Sequence, residues 1–81
     1  MELPLEQPLE WLGPGQWADV TDVHGEPGWV GRMAALGIRS GCRLRMLRSG
    51  CPCLVEIGAA RFCLRGDDCC QIFVRPVGGG A

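Results

Sequence analysis

The sequence lacks lysine and tyrosine and contains one histidine, so it offers few side chains for acid-base or nucleophilic catalysis. It has neither a Gly-x-Ser-x-Gly motif nor a phosphate-binding loop. The C-x-x-C pair that thiol-redox proteins commonly use is also absent. These absences together predict a protein that is not an enzyme.

Long apolar segments are missing as well. The longest unbroken apolar run, residues 33–36, is far shorter than the roughly 18 residues that a membrane span needs. The first residues have no cationic start followed by an apolar stretch, which a secretion signal requires. We therefore expect a cytoplasmic protein without direct membrane insertion, in which the six cysteines are reduced thiols.

The charge is nearly balanced but unevenly distributed. A net charge of −1 at pH 7 gives no strong attraction to a phosphate backbone, so we expect no nucleic-acid partner. Residues 1–30 hold six acids and no base, whereas residues 31–65 hold seven arginines and one acid. This asymmetry predicts a basic surface for an acidic partner, with an ordinary solvated strand surface as the alternative.

The first third of the chain predicts one strand. Residues 1–12 are rich in proline and glutamate, and we treat them as an N-terminal extension with a few apolar side chains over one end of the domain. A Gly-Pro-Gly turn at residues 13–15 leads into a strand at residues 16–23. The apolar alternation slips once within that strand, which indicates a β-bulge.

A helix follows the Glu-Pro-Gly sequence at residues 26–28. Its apolar face is predicted from Trp29, Met33 and Leu36, which recur at helical spacing. Gly37 is suited to the left-handed conformation that ends a helix, and this ending would bring Ile38 next to Met33.

From residue 42 onward, apolar and polar residues alternate and predict three further strands, a short acidic helical turn, and a last strand that ends at Pro76. The predicted fold is mainly β, with about five strands, one helix after the first strand and a short helical turn before the last. So small a sheet favours a closed or nearly closed barrel over residues 13–76. The glycine-rich residues 77–81 are expected to form a flexible tail.

Three segments have a recognisable order and spacing. Residues 33–44 place Leu-Gly-Ile at a helix end, followed by Arg-Ser-Gly and a strand, and residues 55–65 form a hairpin that ends in Leu-Arg. Residues 69–74 add a short helix and an Ile-x-Val strand. Together with the turn at residues 13–15, these segments resemble the ferrous iron transport protein A (FeoA) family over roughly residues 9–75.

This resemblance implies an SH3-like barrel that acts in the cytoplasm as an accessory or regulatory protein of ferrous iron uptake. The implied partner is a FeoB-type membrane transporter, contacted through its GTP-binding cytosolic domain, and no cofactor is required. Similar barrels occur in iron-dependent repressors, but the sequence contains no helix-turn-helix beside the barrel. Exposed strand edges would also allow two copies of the chain to pair as a homodimer.

Three arginines are the candidates for partner binding. Alternation places Arg43 and Arg45 opposite the apolar side chains of the same strand, and therefore outside the core. Arg39 lies in the loop that precedes this strand. We expect the basic face that they form to dock on an acidic cytosolic surface of the transporter.

Cysteines and the histidine are the candidate metal ligands. Cys51 and Cys53 form a C-x-C pair in a turn where exposed thiolates could hold weakly bound Fe(II) or Zn(II). His24 lies among three aspartate and glutamate residues that could add oxygen ligands. The alternative function is accordingly a small cysteine-containing transition-metal-binding or thiol-redox protein. Against it, a solvated turn explains His24, and Cys42 and Cys69 are expected to be small buried residues.

Overall fold

The computed structural model describes residues 6–50, 52–65 and 67–77. Within these ranges the chain forms one sheet of six strands, two α-helices and a 3-10 helix. The strands are β1 (Gln7–Pro8), β2 (Trp17–Val23), β3 (Arg43–Arg48), β4 (Cys53–Ile57), β5 (Ala60–Leu64) and β6 (Ile72–Pro76). The helices are α1 (Pro27–Leu36), α2 (Asp67–Cys70) and the 3-10 helix Leu9–Trp11.

All neighbouring strands are antiparallel, in the order β1-β6-β2-β3-β4-β5. Two hairpins join β3, β4 and β5, while β6 lies between β1 and β2. Helix α1 connects β2 to β3, and α2 precedes the last strand. This arrangement confirms the predicted mainly β fold, including the positions of both helices.

The sheet has one strand more than we predicted. Strand β1 lies in the segment that we treated as an extension, and it pairs Gln7 with Val74 and Pro8 with Phe73. The proline in β1 argued against a strand at this position, because a residue without an N–H is tolerated only at a sheet edge or a bulge. Directly after β1, Leu9 and Leu12 are 0% and 1% exposed. Residues 7–12 thus contribute a strand and two core side chains.

The core lies on the inward face of the sheet. In β3, Leu44 and Met46 are fully buried, whereas Arg43, which has the opposite phase, is exposed, and this confirms the predicted period of two. The fully or nearly buried side chains are Leu9, Leu12, Ala18, Val20, Ile38, Leu44, Met46, Cys53, Val55, Leu64, Cys69, Ile72 and Val74. Within the described residues, no polar or charged residue belongs to this buried set.

Strand β2 carries the predicted bulge. Its register against β6 shifts between Val20 and Asp22. Thr21, at the shift, donates its hydroxyl hydrogen bond to a carboxylate oxygen of Glu6 at 2.7 Å. The bulge keeps Val20 in the core while the strand continues along β6 with a changed register.

Helix α1 ends as predicted. Gly37 has a φ of 103°, its N–H donates to the Ala34 carbonyl at 3.0 Å, and the Ile38 N–H donates to the Met33 carbonyl at 2.8 Å. These two bonds form a Schellman motif. The prediction for Leu36 was wrong, because its side chain is 51% exposed. The left-handed turn at Gly37 redirects the chain, and Ile38, 1% exposed, takes the core position at this helix end.

Candidate functional site

Strands β2, β3 and β6 turn a set of charged and aromatic side chains away from the core. Because Ala18 and Val20 are buried, the alternate residues of β2 lie on the opposite face. Register places Trp17 beside Arg45, and it places Asp19 between Arg43 on one side and Arg75 on the other. We call this surface the outer face and define it by Trp17, Asp19, Arg43, Arg45 and Arg75.

An ion pair joins two strands across the outer face. The Arg43 Nε lies 2.8 Å from one carboxylate oxygen of Asp19, and a second guanidinium nitrogen lies 3.3 Å from the other. The hydrogen bond from Arg43 holds the pKa of Asp19 below its ordinary range, and the positive charge of Arg75 acts in the same direction. Arg43 is therefore exposed, as predicted, but already engaged within the chain.

The other arginine of β3 packs on a tryptophan. The guanidinium carbon of Arg45 lies 5.7 Å from the centroid of the Trp17 ring, a cation-π distance. Arg45 Nε is buried and has no hydrogen-bond partner in the described part of the chain. Arg45 thus faces outward, as alternation predicted, but it lies deeper than a freely solvated arginine. Trp17 itself is 46% exposed.

Trp17 belongs to this surface but is not among the binding candidates predicted from the sequence. It lies in the strand predicted over residues 16–23, with the same phase as Asp19 rather than that of Ala18 and Val20. A tryptophan on the polar side of a half-buried strand was the available signal.

An open groove of ≈ 570 Å³ adjoins the ion pair. Ser40 donates its hydroxyl hydrogen bond to the Thr21 carbonyl at 3.0 Å and thereby fixes one wall. The groove is lined by Asp19, Val20, Thr21, Ser40, Gly41, Arg43 and Arg75. Arg39, the third predicted binding residue, is exposed in the turn directly before Ser40 and Gly41. The structure therefore places Arg43 and Arg45 together on the outer face and Arg39 next to its groove along the chain.

His24 makes contacts that need no metal. Its Nε2 lies 3.0 Å from an Asp22 carboxylate oxygen, and its ring meets Phe73 edge-on at a centroid distance of 5.1 Å. Its backbone N–H donates to the Gln71 carbonyl at 2.8 Å. Over residues 6–50, 52–65 and 67–77, no three side chains of His, Cys, Asp or Glu come together as a metal site.

The second candidate metal site, the pair Cys51 and Cys53, differs from the prediction. We expected Cys53 to be exposed, but it is 0% exposed at the start of β4, because alternation turns it inward together with Val55. Burial raises the pKa of the Cys53 thiol to about 12, which disfavours the thiolate that metals bind. Cys51, the other half of the pair, lies outside the described residues.

Of the two cysteines predicted to be buried, only Cys69 is fully so. Cys69 is 2% exposed and belongs to the core, whereas Cys63 and Cys70 are exposed. Cys42, expected to be buried, is half-buried. The Sγ of Cys69 lies 3.1 Å from the Sγ of Cys53.

No helix in the described part of the chain has the length and apolar character that crossing a bilayer requires.

The antiparallel sheet with its inserted helix is the architecture of small SH3-like domains, and three solved structures resemble it closely. A Chlorobium tepidum FeoA protein is 29% identical, with 93% of this chain and 74% of that chain covered and a TM-score of 0.82. A zinc-complexed FeoA from Stenotrophomonas maltophilia, presented as a prokaryotic SH3 domain protein, is 29% identical over 84% of this chain and 88% of its own, with a TM-score of 0.73. An iron uptake regulatory protein (FeoA) shares the fold at 23% identity, over 89% of this chain and 99% of its own, with a TM-score of 0.81.

The chain belongs to the FeoA family. The FeoA domain model matches residues 7–76, which include the six strands and the three helices of the described residues. This match confirms the resemblance seen in the helix end and the last strands, and it identifies a family of iron transport proteins. No curated protein shows significant similarity to the chain.

Proposed function

We propose that this chain is a cytoplasmic, non-catalytic accessory protein of ferrous iron uptake that binds the GTP-binding cytosolic domain of a FeoB-type membrane transporter. The observation that carries the proposal is the match of residues 7–76 to the FeoA domain. The Stenotrophomonas maltophilia relative has been suggested to be a ferrous iron transport activating factor. This supports activation of the transporter, rather than inhibition, as the effect of binding. The role requires no bound cofactor.

The outer face is the proposed contact surface. Tryptophan and arginine contribute most of the binding energy at many protein interfaces, and Trp17 is both half-exposed and held in place by Arg45. Three arginines against one aspartate give this face a positive charge. Such a surface is complementary to an acidic region of the partner, which would accelerate association at low ionic strength.

Replacing Trp17 tests the surface. We expect Trp17→Ala to weaken binding to the purified transporter domain about tenfold or more, because the exposed ring would be lost from the centre of the contact. Titration calorimetry at low and moderate salt measures the affinity, and ferrous iron uptake by cells that carry the variant measures the function. Circular dichroism should show that the variant remains folded.

Trp11→Ala is the matched control, since Trp11 is 68% exposed but lies in the 3-10 helix rather than on the outer face. The control should bind as the unmodified chain does. Equal losses for both variants, or wild-type affinity for Trp17→Ala, would show that the outer face is not the contact. No binding by the unmodified chain would exclude the transporter domain itself as the partner.

A second candidate function is metal or thiol handling, and one observation favours its thiol part. This observation is the contact between the Cys53 and Cys69 sulfur atoms in the core. Anaerobic metal analysis of untagged protein separates the two candidates, because stoichiometric, tightly held Zn(II) or Fe(II) would favour the second.

A further inference from the structure

Two thiols meet in the interior of the domain. The Cys53 Sγ in β4 and the Cys69 Sγ in α2 are 3.1 Å apart, and their residues are 0% and 2% exposed. The Cys69 thiol also contacts the Leu64 carbonyl at 3.5 Å, which helps to fix its direction. A disulfide bond has an S–S distance of about 2.05 Å, so an approach of about 1 Å would join the two sulfur atoms.

We propose that Cys53 and Cys69 form an oxidation site that closes to an intramolecular disulfide and links α2 to β4. With hydrogen peroxide as the oxidant, one thiol is first oxidised to a sulfenic acid and one water is released. The other thiol then attacks that sulfur, an S–S bond forms, and a second water leaves. In sum, two thiols and one peroxide give one disulfide and two waters.

The pairing is specific because the other described cysteines face elsewhere. Cys63 is exposed on β5, where its neighbour Leu64 points into the core. Cys70 follows Cys69 in the chain but is exposed. Cys42 lies before β3 and is half-buried. Within the described residues, the buried pair is the one in which two cysteine sulfur atoms are shown in contact.

Burial determines how the site behaves. Desolvation raises the pKa of the Cys53 thiol to about 12, so its reactive thiolate is scarce in the folded protein. The disulfide therefore forms slowly, under sustained oxidation, and is protected from reductants once formed. Because α2 packs against the 3-10 helix and β6, the bond fastens these elements to the β3–β5 hairpins.

The test uses the full reduced chain incubated with hydrogen peroxide under defined conditions. We expect the intact mass to fall by about 2 Da, the loss of two hydrogens, and to return when dithiothreitol is added under denaturing conditions, which expose the buried bond. Trypsin cleaves after Arg48, Arg61 and Arg65 but not at the Arg75-Pro76 bond, so peptide mapping should show residues 49–61 joined to residues 66–81. The melting temperature of the oxidised form should rise by about 10 °C or more, since the bond closes a loop between residues 16 positions apart.

Two variants and one control complete the experiment. Cys53→Ala and Cys69→Ala should abolish the joined peptides, whereas Cys70→Ala, which changes the adjacent exposed residue, should retain them. Joined peptides in Cys53→Ala, or wild-type protein that gains oxygen without joining the peptides, would overturn the proposal. So would stoichiometric zinc that the reduced wild type holds through Cys53. Each joined peptide contains two cysteines, so fragment spectra of the joined wild-type peptides must place the bond at Cys53 and Cys69, and this result decides the matter even if a core variant fails to fold.

Discussion

The ion pair between Asp19 and Arg43 determines how readily Arg43 can bind a partner. Exposed pairs of this kind contribute only about 0–1 kcal/mol, because water and salt screen them. The side chain of Arg43 is 57% exposed and that of Asp19 is 32% exposed. A carboxylate on the partner could therefore compete with Asp19 at low energetic cost, while Asp19 keeps the guanidinium in a defined orientation in the free protein.

Neutralising Asp19 should change the acid stability of the domain. Since Arg43 lowers the pKa of Asp19 in the folded state, the carboxylate contributes stability above about pH 4, and that contribution is lost as the pH falls through the lowered pKa. We expect the melting temperature of Asp19→Asn to fall less between about pH 5 and pH 2 than that of the unmodified chain. Thermal melts followed by circular dichroism measure the difference. Trp11→Ala, a change at an exposed uncharged residue, should keep the unmodified pH dependence.

At single positions, alternation predicted the side of the sheet better than the depth of burial. It placed Arg43 and Arg45 correctly on the outer face, but the packing of Arg45 on Trp17 depends on a neighbouring strand whose register could not be read from the sequence. Cys53 was misjudged for a different reason. A C-x-C pair beside a proline suggests an exposed turn, yet β4 begins at Cys53 and its first side chain already points inward.

Among the elements, helix α1 depends most on a single backbone conformation. None of its residues is fully buried, and only Trp29 and Met33 of the predicted apolar face pack against the core. Its hydrogen-bonded end at Gly37 and Ile38 therefore matters more than it would in a deeply packed helix.

Two glycine substitutions in and after α1 should have opposite effects. Gly37→Ala should destabilise the domain by about 1 kcal/mol or more, because a Cβ is disfavoured at a φ of 103°. Gly31→Ala should stabilise it by about 0.5–1 kcal/mol, since the position is helical and nothing lies within 4 Å of the added carbon. Urea unfolding measures both. A destabilised Gly31→Ala, or an unaffected Gly37→Ala, would contradict this account of the helix.

Elements that are specified by residues close together in the sequence were predictable. Strand β1, which is not specified in this way, was not. The turn at Gly37, the hairpins after β3 and the acidic start of α2 each depend on residues close in sequence, and each was predicted. Strand β1 has two residues and contains a proline, so its propensity is poor. It exists because β6, more than 60 residues later, provides the pairing partner.

For the molecule as a whole, the N-terminal segment is part of the cooperative unit. A domain of this size has a small core, and each buried leucine is a substantial fraction of it. Leu9 and Leu12 cover the core from the side of the 3-10 helix, next to α2 and β6. The family match, which begins at residue 7, agrees with this extent.

Two leucine substitutions should separate this segment from an ordinary surface. We expect Leu9→Ala to cost about 2–5 kcal/mol, because a fully buried side chain is lost and a cavity remains. Leu36→Ala should change the free energy of unfolding by less than about 0.5 kcal/mol, since Leu36 is 51% exposed. Urea denaturation midpoints measure the two values. Similar midpoints for the two variants would mean that residues before the Gly-Pro-Gly turn do not hold the core.

The pairing of β1 with β6 also sets how the domain responds to mechanical force. Residues 7 and 8 pair with residues 74 and 73, so both ends of the described chain leave the sheet at the same end of this strand pair and in the same direction. Tension applied between the two ends would load these antiparallel hydrogen bonds one after another, as in opening a zipper, rather than all at once. Opening them would next draw Leu9 and Leu12 out of the core. The domain is therefore built to yield first at its termini, while β3, β4 and β5 remain paired.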